Sequence, residues 1–359
     1  MAGSERLSLP SQFGLRSQAA ALRSARGMNR TGTPNLRIPT HSIVRLAVFM
    51  VCAWGAVASH MGTARAETTL RIGSAQLSIA SIPVVVAIQQ KLFQAEGIAA
   101  EIVDFDGGGP AVQALAGGGI DLCICAGDHA MRLASRGLGG TVLVALLDKH
   151  PYSLLAPIGS PATDLNSLRG KPVGITSPGS LTDNTLRFMI RQLGFNPDSD
   201  YEIIAAGTGG SMRAALDTGS VTAGMFTTPD VQAYMATGKY KFVADFRDLD
   251  YMALDLVAVG GWLKANDTTA HAVARAVVKA EQIIQTDQNA VQAAVHERFP
   301  ALSPDLVVMV AKDAAERSLS HDGHAQEAGF KTALEMLRVA DPTVKQLAYR
   351  DVVALRYLP

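Results

Sequence analysis

Cysteine is scarce: three in 359 residues, too few for a disulfide-built scaffold. Net charge is absent, since 32 Lys and Arg balance 32 Asp and Glu. A chain without a basic excess lacks the electrostatic footprint of a nucleic-acid binder. Charged residues make up 18% of the chain and apolar residues 48%, which excludes intrinsic disorder. Aromatic residues are few, at 6% with two Trp. Catalytic signatures are missing as well. There is no G-x-S-x-G, H-E-x-x-H, Walker loop or C-x-x-C. The length admits one large or two ordinary domains.

The neutral balance averages two unlike parts. Residues 1–66 carry eight Arg and one acid, Glu5. An apolar run from Leu46 to Ala58 follows Arg45, and Ala64-Arg65-Ala66 closes the segment. The run is about 13 residues, short of the roughly 20 that span a bilayer. A basic n-region, a short apolar stretch and an A-x-A site read as a secretory signal peptide cleaved near Ala66. Met28 would give this signal a more ordinary length. Cys52 follows Phe49-Met50-Val51 rather than the small residues of a lipidation site. Without the signal, residues 67–359 hold 24 basic and 31 acidic residues, a net of −7, and the exported part is expected to be acidic and soluble.

From Glu67 onward the pattern alternates strand and helix. Strands are expected at 69–74, 99–105, 121–126 and 141–147, with helices at 82–96, 110–116 and 127–136. Ser81 reads as the N-cap of the first helix, with Pro83 in its first turn. The apolar run around Cys123 and Cys125 suits a strand buried on both faces, with the two cysteines as small buried apolar residues. The rhythm restarts after Pro161: strands at 172–176, 201–205, 222–226, 240–244 and 256–263, with helices at 181–193, 211–217 and 231–236. Such alternation argues for βαβ units. From about Asp267 the chain is nearly all helical, a tail expected to cover the first lobe. The reading is therefore an α/β protein: a first lobe over 67–158, a second over 159–249, and a return to the first lobe with C-terminal helices over 250–359. A weak echo links Ala114-Leu-Ala-Gly-Gly-Gly-Ile-Asp121 to Ala215-Leu-Asp-Thr-Gly-Ser-Val-Thr222.

Gly107-Gly-Gly109 imitates a dinucleotide loop, but Val112 stands where the third glycine belongs. His321 and His324 lie in a polar break and lack a third ligand. Asp104 and Asp106 sit beside glycines, where turn chemistry accounts for them. What the sequence does offer is six polar, Gly-rich loops at strand C-termini. In open α/β sheets this edge binds ligands, and helix N-termini there present free N–H groups.

The opening Leu70-Arg-Ile-Gly-Ser74, the Ala114–Leu122 stretch, and Asp164-Leu-Asn-Ser-Leu-Arg-Gly-Lys-Pro-Val-Gly-Ile175 with Ser177-Pro-Gly-Ser180 resemble the substrate-binding proteins of ABC transporters. The nearest branch is the nitrate/sulfonate/taurine type, related to binders of thiamine-pyrimidine precursors. The resemblance implies a type II periplasmic-binding fold with a ligand cleft between two lobes. Carried onto this chain, the cleft would be lined by Ser78, Ser81, Gly108, Gly109, Gly127, Asp128, His129, Ser177, Gly179, Ser180, Thr182, Thr208, Gly209, Thr227 and Thr228. Asp255 joins them as a candidate partner for a ligand amine or as a turn cap. The resemblance further implies a periplasmic monomer that captures a small organic or anionic ligand and docks on an inner-membrane permease, with no enzyme activity, cofactor, metal or nucleic acid.

Basic residues near the inferred cleft are few: His129, Lys149 and His150. Phe226, Tyr152 and Tyr251 are the aromatics available to a ring ligand, with core packing as their other role. Two alternatives stand beside transport. One is an enzyme on the same fold, for which Asp128-His129 is the adjacent candidate pair, although a pyrimidine-precursor synthase would need a Cys/His cluster that is missing. The other is a ligand-sensing partner of a membrane receptor.

Overall fold

The computed structural model describes residues 67–359; the expected signal peptide at 1–66 lies outside the described residues. Ten strands form two five-stranded sheets. The first sheet contains β1 (Thr68–Ser74), β2 (Ile98–Asp104), β3 (Leu122–Cys125), β4 (Thr141–Lys149) and β10 (Asp250–Ala258), in the order β2-β1-β3-β10-β4. The second contains β5 (Tyr152–Pro157), β6 (Pro172–Ile175), β7 (Glu202–Ala205), β8 (Ala223–Thr227) and β9 (Tyr240–Asp245), in the order β7-β6-β8-β5-β9.

The two orders are the same arrangement. In each sheet three strands run parallel, and an antiparallel strand sits beside the third: β10 next to β3, and β5 next to β8. That strand arrives from the opposite lobe. The chain crosses from β4 to β5 through His150-Pro151, and returns from β9 to β10 through residues 246–249. The sequence echo reports this equivalence. Helix α3 (Gly108–Ala116) leads through Gly118 at φ +73° into β3, and helix α6 (Gly209–Asp217) leads through Gly219 at φ +76° into β8.

The remaining helices are α1 (Ile82–Gln89), α2 (Leu92–Ala95), α4 (Gly127–Ser135), α5 (Leu181–Gln192), α7 (Asp230–Ala236), α8 (Gly260–Ala265), α9 (Asp267–Thr286), α10 (Gln288–Arg298), α11 (Pro304–Asp313) and α12 (Glu327–Ala340). Helices α9 and α10 pack on α1, and the C-terminal α12 lies over β10 and against α4 and α5. The tail thus packs on the first lobe and also touches the second. Every residue of β3 is buried, including the free thiols Cys123 and Cys125.

Four local readings are corrected. The helix expected over 82–96 stops at Gln89, because Lys91 takes the left-handed conformation at φ +57° before a short restart. Ser81 is itself helical and caps nothing; its hydroxyl donates to the Ser78 carbonyl at 2.8 Å and accepts from Arg298 Nε at 2.9 Å. The returning strand begins at Asp250 rather than Leu256, and the Gly260-Gly261 pair opens a helix instead of continuing it. Residues 152–157, assigned by sequence to the first lobe, form β5 of the second sheet, since a crossing strand carries no local sign of which sheet it joins.

Candidate functional site

The loops that follow β1, β2 and β3 meet those that follow β6, β7 and β8 across the space between the sheets. Direct hydrogen bonds define the meeting. Asp106 Oδ1, after β2, accepts from the Thr208 amide at 3.0 Å and from its hydroxyl at 2.8 Å. The Gly109 amide donates to Ser177 Oγ at 3.4 Å, and Arg132 donates to the Gly179 carbonyl at 3.3 Å. Asn184 donates to Asp128 Oδ2, and the Ile79 amide to the Thr228 carbonyl at 3.4 Å. The lobes are in contact, the arrangement of a closed cleft.

Small residues permit this approach. Across the lobes, a Cβ on Gly179 would lie 2.8 Å from Arg132 Nη1 and one on Gly107 2.9 Å from Ser177 Oγ; within the first lobe, one on Gly108 would lie 2.4 Å from His129 Nε2 and one on Gly127 2.4 Å from Met252 Cε and 2.7 Å from Asp255 Oδ2. Gly179 and Gly209 take left-handed φ values of +72° and +46°, which favour glycine. Ser180 caps α5 and shares hydroxyl bonds of 2.8–2.9 Å with Thr176 and Thr182, so these side chains satisfy one another. The Thr228 hydroxyl accepts from Gln232 at 3.1 Å. The Ser78 carbonyl and the Ser81 hydroxyl are likewise committed within the first lobe.

A different subset remains unpartnered. Asp128 Oδ1, the Thr227 hydroxyl, both oxygens of Asp255, the Tyr251 hydroxyl and Gln76 Nε2 are buried with no hydrogen-bond partner in the protein. Buried polar atoms are normally satisfied, so such orphans are positions where a further molecule fits. Three of these five residues were among the candidates expected from sequence: Asp128, Thr227 and Asp255. Gln76 was visible as a member of the first polar loop, and Tyr251 was weighed as a stacking ring. Asp106, Arg132, Asn184 and Thr185 were missed, because each acts through contacts between distant segments.

Burial sets the local protonation. It pushes the Asp255 carboxyl well above the usual carboxylate range, reinforced by Asp148, and pushes the Tyr251 hydroxyl up, reinforced by Asp128. Burial lowers His129, against the opposing pull of Asp128, and takes His150 down to about 3. His150 bonds Thr185 Oγ1 at 2.8 Å and meets the rings of Tyr152, Phe246 and Tyr251 edge-on at 5.3–5.9 Å. It is a neutral packing element of the crossover. Lys149 is paired with Asp250 and lines a small cavity with Ile79, His150, Thr227, Thr228 and Arg247. An adjoining cavity of about 420 Å³, which shares Lys149, Arg247 and Ser318 with it, is lined also by Asp248, Asp313 and Arg317. Its cations are matched by carboxylates: Arg247 by Asp245, and Arg317 by Asp248 at 3.1 Å.

Comparison with known proteins follows from this geometry. No curated protein matches the chain significantly. The aliphatic sulphonate-binding protein SsuA of Escherichia coli is 20% identical, with a TM-score of 0.59 over 78% of this chain and 94% of its own. The alkanesulfonate-binding SsuA of Xanthomonas axonopodis pv. citri, solved with MOPS, is 19% identical, with a TM-score of 0.66 over 80% and 99%. The nitrate-binding NrtA of Synechocystis PCC 6803 is 13% identical, with a TM-score of 0.63 over 81% and 87%. At these identities the likeness is one of fold, and that fold is the two-lobed periplasmic-binding fold expected from the sequence. Residues 78–290 match the profile described as NMT1/THI5 like; since this is more than half of the sequence, the chain belongs to the NMT1/THI5-like family.

Proposed function

We propose that this chain is the exported solute-binding component of an ABC importer. A small molecule enters between the lobes, the lobes close on it, and the closed form delivers it to an inner-membrane permease. The observation that carries the reading is the set of buried, unpartnered polar groups from both lobes, Asp128, Thr227 and Tyr251 among them, beside the hydrogen bonds that join the lobes. Membership of the NMT1/THI5-like family and the fold shared with sulfonate- and nitrate-binding proteins support it.

The basic, apolar and A-x-A segments of residues 1–66 support export to the periplasm, and among the described residues no helix is long and apolar enough to cross a membrane. The lobe division we assign is 67–151 with 250–359, and 152–249, following the sheet pairing. Ligand contacts are assigned first to Asp128, Thr227 and Asp255. The other loop residues expected from sequence shape the cleft and its closure. An enzyme reading gains nothing from Asp128 and His129, whose Oδ1 and Nδ1 are 4.0 Å apart, beyond the reach of a base–orienter hydrogen bond.

Ligand binding selects the closed state through differential affinity. At a free ligand concentration of 100 times Kd the folded state gains about 2.7 kcal/mol, a rise of several degrees in Tm. A melting-temperature screen of small metabolites therefore tests the proposal. A dose-dependent rise is expected; a flat response across amines, sulfonates, nitrate, pyrimidines and carboxylates argues against solute capture.

A further inference from the structure

The charge pattern of the cleft is not that of an anion receptor. Helix N-termini attract anions through their partial positive charge and free amides, and three of them border the cleft. Each already holds a carboxylate of the chain. Asp128 lies in the first turn of α4. Asp183 lies in the first turn of α5 and accepts from the Gly179 amide at 2.7 Å. Asp106 accepts from Thr208, the N-cap of α6. The guanidiniums at the cleft border face carboxylates or carbonyls of the chain: Arg298 donates to Ser81 and Asp104, and Arg132 donates to the Gly179 carbonyl and lies 3.7 Å from Asp341, although its Nε has no hydrogen-bond partner.

Against this stands Asp128, 1% exposed. Its Oδ2 accepts from Asn184, while Oδ1 has no partner. Tyr152 and Tyr251, both buried, meet the His150 ring edge-on at 5.9 and 5.3 Å, and His150 bonds Thr185, the residue after the Asn184 that holds Asp128. The Tyr251 hydroxyl and the Thr227 hydroxyl are also unpartnered. A buried carboxylate oxygen beside aromatic rings suits a desolvated cation, through charge-assisted hydrogen bonding and the ring quadrupoles. A buried acceptor left without a partner is costly, and a ligand that donates a hydrogen bond to it recovers that cost.

We propose that the ligand presents a protonated nitrogen, as a small organic amine or amidinium, to Asp128 Oδ1, with Tyr251 and Thr227 contacting its polar remainder. This rests on the solute-receptor reading above and names the ligand class for that same cleft. The guest is cationic at the end that meets the first lobe, in contrast to a nitrate or sulfonate.

The test uses the chain from Glu67 to Pro359, purified and freed of bound molecules. Calorimetry and melting curves are run with two matched sets: primary amines, amidines and quaternary ammonium compounds in one, nitrate and sulfonates of similar size in the other. The proposal expects binding from the cationic set, weakened at least tenfold by Asp128→Asn and about threefold by Tyr251→Phe, a variant that removes a single hydroxyl and keeps the ring should the first fail to fold. Tight nitrate or sulfonate binding that survives Asp128→Asn overturns the ligand class and leaves the receptor reading standing. Silence from both sets, with no small molecule retained in native mass spectra of the protein from its exporting host, overturns both.

Discussion

At the scale of single residues, the cleft is defined by side chains that are missing or unsatisfied. Gly127 leaves room that Met252 and Asp255 fill. In Gly127→Ala the added methyl must displace both, and overpacking of this kind costs about 1–3 kcal/mol; the urea midpoint should fall accordingly with an unchanged m-value. A second residue-scale prediction concerns Glu281 on α9, fully buried with both carboxylate oxygens unpartnered. Burial, reinforced by Asp148, pushes its carboxyl from 4.5 up to about 9. The folded chain keeps this proton over a range in which the unfolded chain releases it. Its contribution is therefore complete below about pH 4.5 and is lost as pH rises toward 9, by at most about 1.4 kcal/mol per pH unit. Glu281→Gln removes the titration, so its stability relative to the parent should be greater at pH 8 than at pH 5. Equal differences at the two pH values would contradict this. His150 works in the opposite sense: neutral when folded down to about pH 3, it loses stability for the fold as pH drops below about 6.5.

At the scale of elements, the helix N-termini organise the cleft. Ser180 caps α5 and anchors the hydroxyl triangle with Thr176 and Thr182. Removing an N-cap hydroxyl costs about 1 kcal/mol, and two buried hydroxyls lose a partner with it, so Ser180→Ala should lower stability by about 1–2 kcal/mol in chemical denaturation. The elements also mark where sequence reading succeeds. Alternation of apolar runs with Gly-rich turns made most strands and helices legible, and the polar loops at strand ends made Asp128 and Thr227 candidates. It failed where tertiary context decides. Ser81 has the composition of an N-cap, but Arg298 from α10 claims its hydroxyl. Asp106 looks like a turn former, yet its partner is Thr208, 102 residues away. Asp255 looked like the end of a loop, whereas it sits in mid-strand between β3 and β4.

At the scale of the molecule, two sheets of the same strand order exchange one strand each. The two crossings, at His150-Pro151 and at residues 246–249, are the covalent links on which the lobes can turn, and closure is the sum of the contacts between their loops. Asp106 with Thr208 is an outer member of that set, exposed at the cleft rim. Asp106→Ala should leave the fold intact while favouring the open form, raising Kd about threefold to tenfold through faster ligand release. Stopped-flow dissociation checks this, and an unchanged release rate would remove Asp106 from the closing machinery.

The central claim, that a small cationic molecule is held between the lobes, is tested most directly by a crystal structure of the chain with the amine or amidine that raises Tm most. The account predicts the molecule enclosed between the two sheets, with its nitrogen within hydrogen-bond distance of Asp128 Oδ1 and the Tyr152 and Tyr251 rings alongside. A ligand found instead in the cavity lined by Lys149, Arg247 and Arg317, or on the outer surface with the cleft unchanged, would contradict it.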